Sequence, residues 1–175
     1  MITKIKNLIL FLYLKIFGAE KYARLLGVKI GEKCRIYNTD WGSEPFLIDI
    51  GSNVTISKNV TFITHDGSPW IFREKTGRYY KYARITIEDN IFIGMNTIIM
   101  PGVTIKSNVI VGSGSIVTKN LDSSYVYAGN PARKIDTLEN YLAKVKSDFI
   151  YSSNSKNKKS DIVLIEKQYF LKKRK

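Results

Sequence analysis

Few side chains in this chain of 175 residues can do proton chemistry near neutral pH. His65 is the only histidine and Cys34 the only cysteine. An imidazole titrates near working pH, so it can take a proton from a reacting group and return it later. To act that way it needs its second nitrogen held, and two carboxylates are candidates for orienting it. Asp66 is adjacent, which makes pairing with its own neighbour awkward. Glu44, in "WGSEPF", is the freer candidate. A lone cysteine excludes an intrachain disulfide and a cysteine-built zinc site, and a single histidine cannot supply a three-histidine zinc centre. No metal is expected.

The elements that must position His65 are visible as a repeat. Ile87, Ile93, Ile99, Ile105, Val111 and Val117 fall six residues apart, and Ile50, Ile56 and Phe62, then Ile30 and Ile36, keep the same step. Neither the helical period nor simple alternation holds six positions in one phase. A unit of six with one aliphatic anchor predicts a parallel β-helix, an all-β fold in which three short strands make each coil and the anchors stack inside. Asn and Gly at the corners, as in "DNIFIGMN" and "SNVIVGSG", suit the left-handed backbone that tight corners need. The repeat fails twice. Between Ile36 and Ile50 lies the stretch carrying Glu44. Between Phe62 and Ile87 lies "DGSPWIFREKTGRYYKYAR", a protruding loop over 66–84 with His65 at its exit. The aromatic content of that loop, Trp70, Phe72, Tyr79, Tyr80 and Tyr82, argues against disorder.

The net charge of +13 is carried by the ends. Residues 1–27 hold five Lys or Arg against one Glu, residues 141–175 ten against three, and residues 28–140 thirteen against eleven. Three parts follow: an N-terminal helical segment (1–27), the β-helix domain (28–140), and a basic helical or flexible tail (141–175). The apolar run from Leu8 to Leu14 is too short to span a bilayer. The first helix either packs on the domain or lies in a membrane interface with its lysines at the headgroups. The tail is solvated or bound to a partner. A basic adaptor for nucleic acid or membranes is the non-enzymatic alternative, and a steep salt slope on DNA or RNA would reveal it. The near-neutral core argues against nucleic acid.

"IEDNIFIGMNTIIMPGVTIKSNVIVGSGSIVTKN", "YVYAGNPARKI", "LLGVKIGEKCRIYN" and "WGSEPFLIDIGSNVTIS" together resemble the bacterial hexapeptide-repeat acyltransferases, in particular the branch that acetylates sugars and polysaccharides. The likeness covers about residues 22–140. It implies a left-handed coil, a homotrimer, and acetyl-CoA as donor in grooves between subunits. His65 matches the family's catalytic base by position and context. The likeness also implies that Phe92, Gly94, Met95 and Ser113 meet the pantetheine arm, and that Thr118, Lys119, Arg133 and Lys134 lie towards the nucleotide phosphates. Phe92 stands where many relatives have tryptophan. Trp70 and Arg73 of the loop are candidates for the acceptor. O-acetylation of a glycan is the expected reaction, N-acetylation of an amino sugar the alternative. The location expected is cytoplasmic, with peripheral membrane contact in view.

Overall fold

The computed structural model describes residues 2–72 and 75–148, together with 162, 163 and 166. The repeat winds into a parallel β-helix with three faces. One face stacks β1 (Lys29–Ile30), β3 (Ile48–Ile50), β8 (Ile85–Ile87) and β11 (Thr104–Ile105) in that order. The second stacks β2 (Arg35–Ile36), β4 (Thr55–Ile56), β9 (Ile91–Ile93), β12 (Val109–Val111) and β14 (Tyr125–Ala128). It ends in β15 (Arg133–Thr137), which pairs antiparallel with β14. The third face holds β5 (Thr61–Phe62), β10 (Ile98–Ile99) and β13 (Ile116–Val117).

The register stacks the anchors on one another. Ile30 pairs with Ile50, Ile50 with Ile87 and Ile87 with Ile105. Ile56, Ile93, Val111 and Tyr127 align on the second face, and Phe62, Ile99 and Val117 on the third. All are buried. Each anchor loses its water to the anchors above and below, while the backbone pairs between coils. The corners are left-handed as expected: Asn53, Asn90 and Asn108 have φ of 57°, 58° and 62°. Their amides form a ladder, Asn53 Nδ2 donating to Asn90 Oδ1 at 2.8 Å and Asn90 Nδ2 to Asn108 Oδ1 at 3.2 Å.

The third face has no strand in the first coil. Trp41 fills that place, buried and stacked on Phe62 with ring centroids 5.2 Å apart. The segment over 66–84 is more ordered at its base than a loop. There β6 (His65–Asp66) and β7 (Lys81–Tyr82) pair antiparallel, His65 opposite Tyr82. Strands of two residues carry no readable period, so the pairing is invisible in the sequence.

The N-terminal helix α1 runs Ile2–Leu25, and Gly18 breaks it at φ 81°, ψ 171°. The half after Gly18 is tied to the coil: Ala23 is fully buried, and Arg24 Nη2 donates to the Gly31 carbonyl at 2.8 Å. The helix stops because Gly27, at φ 104°, takes the left-handed cap position. Its N–H then reaches the Arg24 carbonyl and that of Val28 the Ala23 carbonyl, the paired capping bonds that satisfy a helix's last carbonyls. The compact units divide after Leu138. A second helix, α2 (Leu138–Asp148), opens the tail; most of 149–175 lies outside the described residues.

Candidate active site

Both interruptions of the repeat meet at one corner. Gly42 makes the first possible. Its φ is 68°, and a Cβ there would stand 2.9 Å from the Phe62 carbonyl oxygen, so only glycine lets this segment lie so close to the coil below. Asp40 Oδ1 accepts the Gly42 N–H at 3.0 Å, and Pro45 opens a short 3-10 turn over Pro45–Leu47. Glu44 is thereby turned towards the end of β5. From the other side, the Ile63 N–H still bonds the coil at Ile99, and then the Thr64 carbonyl accepts the Ala83 N–H at 2.9 Å, closing the base of the ribbon.

The result is a three-residue constellation. Glu44 Oε2 lies 2.9 Å from His65 Nδ1, and the Thr64 hydroxyl donates to the same oxygen at 2.6 Å. The Thr64 bond is the main cause holding the Glu44 carboxyl below its ordinary value; partial burial opposes it, and His65 assists. An ionised carboxylate can only accept, so His65 must carry its proton on Nδ1. In the neutral ring, Nε2 is then the nitrogen with the bare lone pair. The His65 side chain keeps 40% of its surface exposed against 16% for Glu44, so the ring is open to solvent while its partner is sheltered. The Tyr82 ring sits beside the imidazole, centroids 5.7 Å apart.

Of the two carboxylates weighed for orienting His65, Glu44 is the one bonded to the ring. Asp66 is spent locally: its Oδ1 accepts the Ser68 N–H at 2.8 Å, and that bond is the main cause of its lowered pKa. Trp70 lies exposed on the 3-10 turn Ser68–Ile71, with the Arg78 guanidinium 5.6 Å over its ring. Arg73 lies outside the described residues. Thr64 was not anticipated; its only signal is a hydroxyl beside the lone histidine where the anchors stop.

The donor-site candidates sit elsewhere on the prism. Phe92 points outward from β9 and is exposed. Gly94 and Met95 form the corner after β9, and Ser113 the equivalent corner one coil on. A Cβ at Gly94 would meet the Ser113 nitrogen at 2.4 Å, so the two backbones run in contact there. Thr118 and Lys119 are exposed on the corner after β13, the same edge from which His65 leaves after β5. Arg133 and Lys134 lie on β15. Lys134 Nζ is held by Asp122 Oδ2 at 3.0 Å and lies 3.9 Å over the Tyr125 ring. The Asp122 bond chiefly raises the Lys134 pKa and, in turn, lowers that of Asp122. Within one chain, His65 and the Gly94–Met95–Ser113 group therefore occupy two different corners, on either side of the third face. No group of three or more His, Cys, Asp or Glu able to hold a metal occurs among the described residues.

Comparison with known proteins gives this arrangement relatives. The family model for bacterial transferase hexapeptide (six repeats) matches residues 84–119. Protein CapG of Staphylococcus aureus is 43% identical over 152 residues, 85% of this chain and 88% of that protein. The galactoside O-acetyltransferase of Escherichia coli (strain K12) is 43% identical over 94 residues, 53% of this chain and 45% of that protein. Among solved structures, a hexapeptide-repeat acetyltransferase of Vibrio cholerae complexed with acetyl coenzyme A superposes with a TM-score of 0.53 at 28% identity. That match covers 64% of this chain and 61% of the other. The chain thus spans less than half of the galactoside enzyme and under two thirds of the Vibrio protein.

Proposed function

The chain belongs to the bacterial hexapeptide transferases and is an acetyl-CoA-dependent acyltransferase, and on that premise we propose that it moves the acetyl group to a hydroxyl of a sugar or polysaccharide, with His65 as general base. The observation that carries the reading is the 2.9 Å contact between Glu44 Oε2 and His65 Nδ1. An alcohol is a poor nucleophile at neutral pH. With Nδ1–H donated to Glu44, Nε2 accepts the hydroxyl proton as the oxygen attacks the thioester carbonyl. A C–O bond forms, and collapse of the tetrahedral centre breaks the C–S bond. The proton on Nε2 then passes to the departing thiolate, and His65 returns to its starting state. Glu44 stays ionised throughout and stabilises the imidazolium between the two transfers.

The placement of the donor candidates supports a homotrimer in this reading. The coenzyme arm would run along Phe92, Gly94, Met95 and Ser113 of one subunit towards His65 of a neighbour, with Thr118, Lys119, Arg133 and Lys134 towards the phosphates. Basic side chains and exposed backbone suit those two ends of the ligand. Lys134 would have to share its charge between Asp122 and a phosphate. We take the coil as left-handed, the acceptor as held near Trp70, and the location as cytoplasmic.

The test is incubation with isotopically labelled acetyl-CoA and a panel of neutral and amino-sugar glycans, read by mass spectrometry before and after mild alkali. An alkali-labile acetyl on a neutral glycan is the expected product. An alkali-stable acetyl confined to amino sugars would replace this reading with N-acetylation.

A further inference from the structure

The two halves of α1 have different surroundings. After Gly18 the helix is packed and capped on the coil. Before it, Ile5, Leu8, Ile9, Leu12 and Ile16 are all exposed, Ile16 by 70% and Ile9 by 59%. At the helical step of 100° per residue these five positions share one stripe roughly 100° wide. Phe11 and Phe17 are exposed as well. So much aliphatic surface on one helical turn after another is not left in water by a stable protein without a cover.

What covers it is indicated by charge. From Ile2 to Phe17 the sequence carries Lys4, Lys6 and Lys15 and no acidic residue; Glu20 is the first. Lys15 Nζ lies 5.4 Å from the Phe11 ring centroid, beside the stripe. A second copy of the helix laid on the stripe would bring the same lysines together. An anionic lipid surface takes the aliphatic side chains into its acyl boundary and neutralises the lysines at its headgroups. Spanning is not available: no helix among the described residues is long and apolar enough to cross a membrane.

We propose that the first half of α1 lies in the interface of an anionic membrane on its Ile5–Leu8–Ile9–Leu12–Ile16 stripe, with Gly18 as the joint to the coil. The proposal stands independently of the acceptor chemistry. It is tested on the full chain by flotation with vesicles of phosphatidylcholine alone and of phosphatidylcholine with phosphatidylglycerol. Intact protein should float with the anionic vesicles and much less with the neutral ones. Ile9→Asp/Leu12→Asp should lower the partition coefficient at least about 100-fold, because two buried aliphatic side chains are lost. Lys4→Gln/Lys6→Gln/Lys15→Gln should reduce anionic binding at low salt and weaken its salt dependence. Sedimentation and circular dichroism of each variant should match the parent. Failure of the parent to float overturns the proposal. So does an Ile9→Asp/Leu12→Asp variant that loses its oligomeric state, which would show that another copy covers the stripe.

Discussion

Between Arg84 and Lys119 every sixth residue is an aliphatic anchor with 1% exposure or less. Residues 37–47 and 63–84 lack that rhythm, and they supply all three members of the Glu44–Thr64–His65 constellation. The contrast is physical. A regular coil commits its inward positions to aliphatic side chains and its corners to backbone in the left-handed region. Its outward side chains recur at one strand spacing, about 4.8 Å, on flat faces. Nothing in that geometry brings a carboxylate over an imidazole and shelters it. Two departures from the coil at one corner do, because the first lies against the end of the second. The periodic region holds the chain; the interruptions hold the candidate site.

This division can be broken at either end. His65→Ala should lower turnover by about 10²–10⁴-fold, roughly 3–5 kcal/mol of barrier, since only proton transfer is removed. Its melting temperature and acetyl-CoA affinity should stay those of the parent; turnover within threefold would remove His65 from the chemistry. Ile93→Ala should do the converse. It opens a cavity between Ile56 and Val111 and should cost about 2–5 kcal/mol of stability in denaturant unfolding, while turnover per folded molecule changes little. A large loss of turnover in the still-folded variant would mean that coil and site are not separable.

Smaller effects sharpen the comparison within the site. Glu44→Gln keeps the shape and removes the charge that stabilises the imidazolium. A hydrogen bond to a charged group contributes about 1.5–3 kcal/mol, so turnover should fall by roughly 10–100-fold, in kcat more than in KM. Thr64→Val should cost less, and it has a readout in pH. Glu44 titrates below its ordinary value in the fold, so its contribution to stability is present above the unfolded value and is lost as pH falls through the folded one. Removing the Thr64 bond, the largest cause of the lowering, raises the folded value. The variant should therefore begin less stable at neutral pH and lose less on acidification, with the loss ending at higher pH, seen as a shallower acid limb of melting temperature. Identical acid limbs for the variant and the parent would show that Thr64 does not hold the carboxylate.

How far the sequence could be read follows the same line. The stacked anchors were legible because a period of six repeats itself, and the corner asparagines because their backbone demands them. Glu44 was legible only as a candidate, since two interruptions offered two carboxylates and only the fold separates them. Asp66 turns out to be occupied by the Ser68 N–H. Thr64 and the His65–Tyr82 pairing were not legible, because they depend on segments 17 to 20 residues apart meeting at one corner. The break at Gly18 was not legible for a different reason: a glycine inside an apolar helical run reads as a weak position in one continuous helix.

The central claim is that the interruptions fix which nitrogen of His65 is left bare. With one histidine per chain, a nitrogen-15 spectrum of the labelled protein contains a single imidazole. Recorded at a pH where that ring is neutral, it should show the proton on Nδ1 and Nε2 unprotonated, and the preference should weaken in Glu44→Gln. A neutral ring carrying its proton on Nε2 would contradict the account, because the nitrogen proposed to accept the hydroxyl proton would already hold one.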